Sequence, residues 1–157
     1  GGSWEGLVDD CTIESDYEMF FPDSYVPSSA ERMLLYRELD RLKTDRDLEA
    51  YRDRLRDRFG ALPHEAEELL KIVPLRRLGC YFGCEKIILK QGQLRMQFIA
   101  NDSSPFYDSQ AFTAVISFMA HNPRRCKLQP TGKRIFTIDN IPTVQAAVEM
   151  LKEIKSS

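Results

Sequence analysis

The sequence predicts an α+β fold, a mainly antiparallel sheet packed with helices in the order β-ααα-ββ-α-ββ-α. Three observations carry this. One early stretch alternates polar and apolar residues with a period of two. Five stretches repeat apolar residues at helical spacing. Two pairs of β-rich runs lie either side of turn signals. Segregated helices and hairpins, with no regular βαβ alternation and no internal repeat, point to an antiparallel sheet.

Thr12 to Phe20 alternates, with Ile13, Ser15, Tyr17 and Met19 on one side and Thr12, Glu14, Asp16 and Glu18 on the other. This is the pattern of a half-buried strand, and Phe21-Pro22-Asp23 ends it because proline cannot donate to a ladder. The first helix starts near Ser28 or Ser29, good N-caps, and runs to about Lys43. Leu35, Leu39 and Leu42 form its stripe, with Met33 and Tyr36 beside it. The second opens after Thr44 or Asp45. Leu48, Tyr51, Leu55 and Phe59 make its apolar face, and Gly60 ends it as a left-handed C-terminal residue. Leu62-Pro63 opens the third, whose core face is Ala66, Leu69, Leu70 and Val73. Pro74 kinks or ends it, a further turn reaches Leu78, and Gly79 to Gly83 is a break.

Glu85 to Lys90 and Gln93 to Ala100 form a hairpin around Gln91-Gly92. After the polar loop Asn101 to Ser104, a helix carries Phe112, Val115, Ile116 and Met119 and stops at Asn122-Pro123. Arg124 to Leu128 and Arg134 to Ile138 make a second hairpin over Pro130-Thr131-Gly132. A last helix runs from about Pro142 to Ile154, with Val144, Ala147, Val148, Leu151 and Ile154 inward.

The 157 residues hold 22 Lys and Arg against 24 Asp and Glu, and 43% are hydrophobic. That balance excludes a disordered chain and a protein built chiefly to coat nucleic acid. No apolar run approaches the roughly 18 residues a bilayer span needs. With no basic-then-apolar leader, the expected location is the cytoplasm, with no membrane partner. Gly1-Gly2-Ser3 is not a natural start, so residues 1–11 are expected to be a linker or cloning remnant. Residues 12–157 are then one domain excised from a larger protein. Through Glu31 the chain carries eight acids and no base, a solvated strand face or a docking surface for a basic partner.

Catalytic chemistry is hard to assemble from these residues. Thr131-Gly132-Lys133-Arg134 lacks the first glycine and the final hydroxyl of a phosphate-binding loop. No dinucleotide fingerprint and no nucleophile elbow is present. His64 and His121 read as helix-end residues. Glu67 and Glu68 are neighbours that do not face one another on a helix. Cys80 and Cys84 form a single close pair among four cysteines, short of the two tight pairs of a structural zinc site. The expectation is no catalytic residue, no metal and no cofactor in this chain, with the cysteines as small buried hydrophobes. An unrecognised enzyme would need a deep polar pocket with convergent titratable groups.

Two polar arrays remain. The second helix mixes Arg52, Arg54, Arg56 and Arg58 with Asp45, Asp47, Glu49, Asp53 and Asp57, the pattern of a salt-bridged solvent face. Arg124, Arg125, Lys127, Lys133 and Arg134 lie on the second hairpin with no acid among them. They read either as a solvated or protein-contacting edge that blocks strand pairing, or as a nucleic-acid contact. The latter would want exposed aromatics, and Phe136, the nearby ring, is expected in the core.

Three ordered segments carry a resemblance: Pro22-Asp23-Ser24-Tyr25-Val26, Arg32-Met33-Leu34-Leu35-Tyr36-Arg37, and Asp57-Arg58-Phe59-Gly60-Ala61-Leu62-Pro63. Together they resemble the C-terminal domain of the bacterial transcription-repair coupling factor, over about Thr12 to Ile154. The resemblance implies a non-catalytic, autoinhibitory domain of a large ATP-driven DNA translocase. That parent displaces stalled RNA polymerase and recruits nucleotide-excision repair, contacting polymerase, DNA and UvrA. It further implies an intramolecular contact with a UvrB-like N-terminal module that masks the UvrA-recruiting surface. Arg54, Asp57 and Arg58 are the candidate interface residues. Arg54-Leu55 stands where the family often has Glu-Leu, with the opposite charge, and Pro74 falls where the family usually continues a helix.

Overall fold

The structure, a computed structural model, describes residues 8–129 and 132–157. Their elements are β1 (Thr12–Ser15), α1 (Ser29–Arg41), α2 (Asp45–Phe59), α3 (His64–Leu70), α4 (Ile72–Tyr81), β2 (Cys84–Lys90), β3 (Gln93–Phe98), a 3-10 turn (Pro105–Asp108), α5 (Gln110–His121), β4 (Cys126–Leu128), β5 (Ile135–Ile138) and α6 (Val144–Ser156). The fold is α+β, as the sequence predicts. The described residues cluster into two compact units, Glu18–Leu75 and residues 8–17 with 76–157. The N-terminal segment expected as a linker lies outside the described residues up to position 7, and so do Pro130 and Thr131 of the second turn.

The unit Glu18–Leu75 is helical. Ser28 caps α1 by accepting from the Glu31 amide, and Thr44 caps α2 by accepting from the Asp47 amide at 3.0 Å. Leu39, Leu48, Tyr51, Leu55, Ala66, Leu69 and Leu70 close over Phe21, Tyr25 and Val26. Each fully buried large side chain contributes about 1.5–3 kcal/mol. The tyrosine hydroxyls end on backbone: Tyr51 donates to the Leu35 carbonyl at 2.8 Å, Tyr25 donates to that of Gly60 at 2.8 Å, and Tyr36 accepts from the Phe21 amide at 2.9 Å. Gly60 has φ +90 but ψ −170. The positive φ suits glycine, while the chain leaves α2 extended rather than left-handed helical.

Several boundaries differ from expectation. The first strand ends at Ser15, because Ser15 Oγ accepts the Tyr17 amide at 2.9 Å and turns the chain. Met19 consequently packs in the helical unit and not beside Ile13. Met33, expected beside the α1 stripe, is 54% exposed. The third predicted helix is two helices. The proline ring of Pro74 displaces the carbonyl four residues back, at Leu70, where α3 ends; Pro74 then occupies the first turn of α4, which needs no amide donor. Gly79 lies inside α4 and is no break. A Cβ there would sit 2.6 Å from Cys11 Sγ, so its bare backbone lets α4 approach β1. The reversal comes at Gly83 (φ +65), where the Phe106 ring fills the space a side chain would need.

The other unit holds a five-stranded sheet of order β1-β2-β3-β5-β4, with β1 parallel to β2 and the remaining pairs antiparallel. Gln91 and Gly92, both at positive φ, form the two-residue turn that pairs Lys90 with Gln93. Ile87, Leu89, Leu94, Met96, Phe98, Phe136 and Ile138 point inward and are buried. Phe98 meets the Phe106 and Phe112 rings at 5.5 and 5.8 Å. Val144, Ala147, Val148, Leu151 and Ile154 of α6 are buried as the periodicity predicts.

Candidate interaction surfaces

Leu48, Tyr51 and Leu55, spaced three and four apart, share the face of α2 that is drawn into the core, and the positions between them turn outward. Arg54, Asp57 and Arg58 are therefore all exposed on the same helix. Two of them are engaged within the unit. Arg54 pairs with Glu38 of α1 and lies over the Tyr51 ring at 5.7 Å. Arg58 pairs with Glu31 of α1 and lies over the Phe59 ring at 5.1 Å. A shallow cleft of about 240 Å³ runs between the helices, floored by Leu35, Tyr51, Leu55 and Phe59. Burial, with the Glu38 carboxylate near, pushes the Tyr51 hydroxyl well above its ordinary range, so it stays a neutral donor. The arrangement suits exchange of ion pairs: an incoming charged side chain competes with Glu31 or Glu38 for a guanidinium above an apolar floor.

Sequence reasoning missed Glu31 and Glu38. Their signal was present as two acids seven residues apart on α1, opposite two arginines four apart on α2. It becomes legible only once the helices are known to run antiparallel. It also missed the outward apolar pair Met33 and Leu34 of α1, the latter 62% exposed.

The basic hairpin is divided by its geometry. Arg125 is occupied with the backbone, donating to the Asp139 carbonyl at 2.8 Å and that of Asn140 at 3.1 Å. Arg134 pairs with Asp102 at 2.6 Å and lies over the Tyr107 ring at 4.8 Å. Arg124, Lys127 and Lys133 are exposed, and Phe136 is buried. The five therefore do not form one patch.

His64 is exposed at the start of α3, and His121 Nδ1 sits 2.7 Å from the Ser117 carbonyl at the end of α5. Cys11, Cys84 and Cys126 are buried and Cys80 is half-buried, all as free thiols. Burial pushes the Cys11, Cys84 and Cys126 thiols upward, which keeps them protonated. Among the described residues, no three histidine, cysteine or acidic side chains are grouped to hold a metal ion, and no helix is long and apolar enough to cross a membrane.

The chain is similar to transcription-repair-coupling factors: to that of Rickettsia bellii with 28% identity over 80% of this chain and 10% of the relative. The corresponding figures for Escherichia coli are 33% identity over 48% of this chain and 6% of the relative. The chain thus spans about a tenth of the length of the curated relatives it matches. In three dimensions it resembles the crystal structure of the C-terminal domain of a transcription-repair coupling factor, with a TM-score of 0.64 and 15% identity over 96% of this chain and 98% of that one. The TRCF domain profile matches residues 15–109, more than half of the sequence and including α1, α2 and the cleft between them, and the chain belongs to the TRCF domain family.

Proposed function

We propose that this chain is a regulatory domain of a transcription-repair coupling factor, acting by covering a neighbouring module of its parent rather than by chemistry of its own. The parent is read as an ATP-dependent DNA translocase that displaces stalled RNA polymerase. The contact is intramolecular, to a UvrB-like N-terminal module, and it masks the surface that recruits UvrA. The outer face of α2 forms part of it, through Arg54, Asp57 and Arg58.

One observation carries this reading most directly. Within a TRCF family domain, α2 turns Arg54, Asp57 and Arg58 outward beside a shallow cleft whose rim is made of exchangeable ion pairs. A contact of this kind is polar and reversible. Inter-domain interfaces of this sort bury about 600–1,500 Å². Holding such a latch closed 99 times in 100 needs about 2.7 kcal/mol, half of the ~5.5 kcal/mol that a full reversal requires. A few ion pairs and a small apolar floor suffice.

The experiment is UvrA capture by the full-length parent, by the parent lacking this domain, and by the parent carrying Asp57→Arg with Arg58→Glu. Deletion and charge reversal are both expected to raise UvrA capture. Capture unchanged by deletion removes the masking role. Capture raised by deletion but not by charge reversal moves the latch off α2.

A further inference from the structure

The strands leave a second face. Their inward side is occupied by the Phe98–Phe106–Phe112 rings and by α4, whose Gly79 meets Ile87. The outward side is set by the alternation of each strand and the register between them. Ile88 pairs with Arg95, Arg95 with Thr137, and Thr137 with Lys127, so these four stand in one row across β2, β3, β5 and β4. Arg95 and Lys127 are two strand spacings apart, about 10 Å. Lys86 and Lys90, also outward on β2, are about 13 Å apart along the strand.

Glu14 of β1 shares this side. Its carboxylate accepts from Lys86 Nζ at 2.9 Å and lies 3.9 Å from Lys90 Nζ. The hydrogen bond and charge of Lys86, then the charges of Lys90 and Lys133, hold it below the usual carboxylate range. Lys133 is exposed just ahead of β5. Asp139, at the end of β5, accepts from the Gln93 amide at 2.7 Å. Arg95 is fixed in place, since Gln93 Oε1 accepts two of its N–H groups at 2.9 and 3.1 Å.

The composition of the face selects its occupant. β3 is the middle strand, and it presents Gln93, Arg95 and Gln97 outward. A protein interface wants an apolar centre with a polar rim; here the centre is a guanidinium among amides. None of the outward residues of β2 to β5 is aromatic, so unpaired bases have nothing to stack on. What remains is a set of cations and amides with Ile88, Ile135 and Thr137 between them, and the cations and amides suit phosphate oxygens. Residues 8–17 with 76–157 carry twelve Lys and Arg against ten acids, so the excess of cations on this face comes from the strand register and not from the charge of the unit as a whole.

We propose that the outward face of this sheet docks the phosphate backbone of double-stranded DNA without reading its sequence, through Arg95, Lys127, Lys133 and the Lys86–Lys90–Glu14 group. This enlarges and relocates the nucleic-acid contact expected of the 124–134 hairpin. Arg125 and Arg134 drop out because they are tied to the protein itself. The α2 surface plays no part, so the outcome is independent of the latch.

The test is fluorescence anisotropy of the 157-residue chain with a labelled DNA duplex of about 20 base pairs, from 50 to 200 mM NaCl. Arg95, Lys127 and Lys133, with no acid paired to them among the described residues, and a net single charge from the Glu14 group neutralise about four phosphates, at a slope of ~0.9 per phosphate. Affinity should therefore fall roughly a hundred-fold across that range. Arg95→Gln and Lys127→Gln, which keep an uncharged stem on the outward side of their strands, should each lower the salt slope by about one. Lys152→Gln on α6 should leave it unchanged. The proposal is overturned by absence of a complex at 50 mM NaCl, or by a Lys152→Gln effect equal to that of Arg95→Gln. Tighter binding to single-stranded DNA, or to a polyglutamate peptide of equal charge, overturns it as well.

Discussion

The two compact units use charge in opposite ways. In the helical unit the surface charges are matched between elements: Glu31 and Glu38 of α1 answer Arg58 and Arg54 of α2, and Arg52 reaches Glu67 of α3 at 3.1 Å. In the sheet unit the cations of β2, β3 and β4 stand on one face and share few acids. The cores differ too. The helical unit is closed mainly by aliphatic side chains, with Phe21, Tyr25 and Tyr51 buried among them. The sheet unit is centred on rings, with Phe106 against Phe98, Tyr107 and Phe112 at 5.4–5.5 Å. The contrast teaches that a similar number of charged residues, 23 in Glu18–Leu75 and 22 in residues 8–17 with 76–157, produces different surfaces. On the two proposals made above, the paired charges are a contact that opens by exchange and the unmatched charges a field that acts on a polyanion.

Three substitutions sharpen this contrast. The largest effect belongs to the ring cluster. Phe98→Ala removes a fully buried side chain that touches two other rings and should cost about 3–5 kcal/mol. Urea denaturation followed by circular dichroism reads this, and a loss under 1 kcal/mol would show that the rings do not hold the sheet unit together. Thr44→Ala comes next. It removes the side-chain cap of α2, whose oxygen accepts the Asp47 amide, and should cost about 1 kcal/mol; an unchanged midpoint would show that α2 starts without its cap. The smallest effect is expected of the Glu38–Arg54 pair. With side chains 39% and 61% exposed, a double-mutant cycle to alanine should return about 0.2–1 kcal/mol. A coupling above 2 kcal/mol would mean that the pair fastens the helices, which is incompatible with a rim that opens readily.

Much of the fold was legible because it is local. Ser28 and Thr44 announce helix starts through hydroxyls that reach amides three residues on. Gln91-Gly92 announces a two-residue turn because both positions take positive φ. The errors fall where a side-chain bond, a ring clash or a distant group overrides the local pattern. The end of β1 depends on a serine bond that breaks its own alternation. Gly79 stands inside a helix because a side chain there would collide with Cys11, 68 positions away in sequence. The sequence predicts a disruption at Pro74, and the break falls four residues earlier, at the end of α3.

The candidate surfaces divide in the same way. Arg54, Asp57 and Arg58 were legible as an outward set because Tyr51 and Leu55 fix the phase of α2. Their partners were not, since Glu31 and Glu38 lie on another helix. The basic hairpin looked uniform in sequence, yet Arg125 turned to backbone carbonyls and Arg134 to Asp102 and Tyr107.

By itself the sequence determined the α+β class, the identity and phase of nearly every element and the family resemblance. Periodicity, capping and charge are properties of neighbours along the chain. The tertiary structure alone decided which arginines are already paired, which lysines share a face, and where helices may touch strands. Those outcomes depend on strand order and on which helices lie side by side, and residues far apart in sequence meet only after the chain has closed on itself.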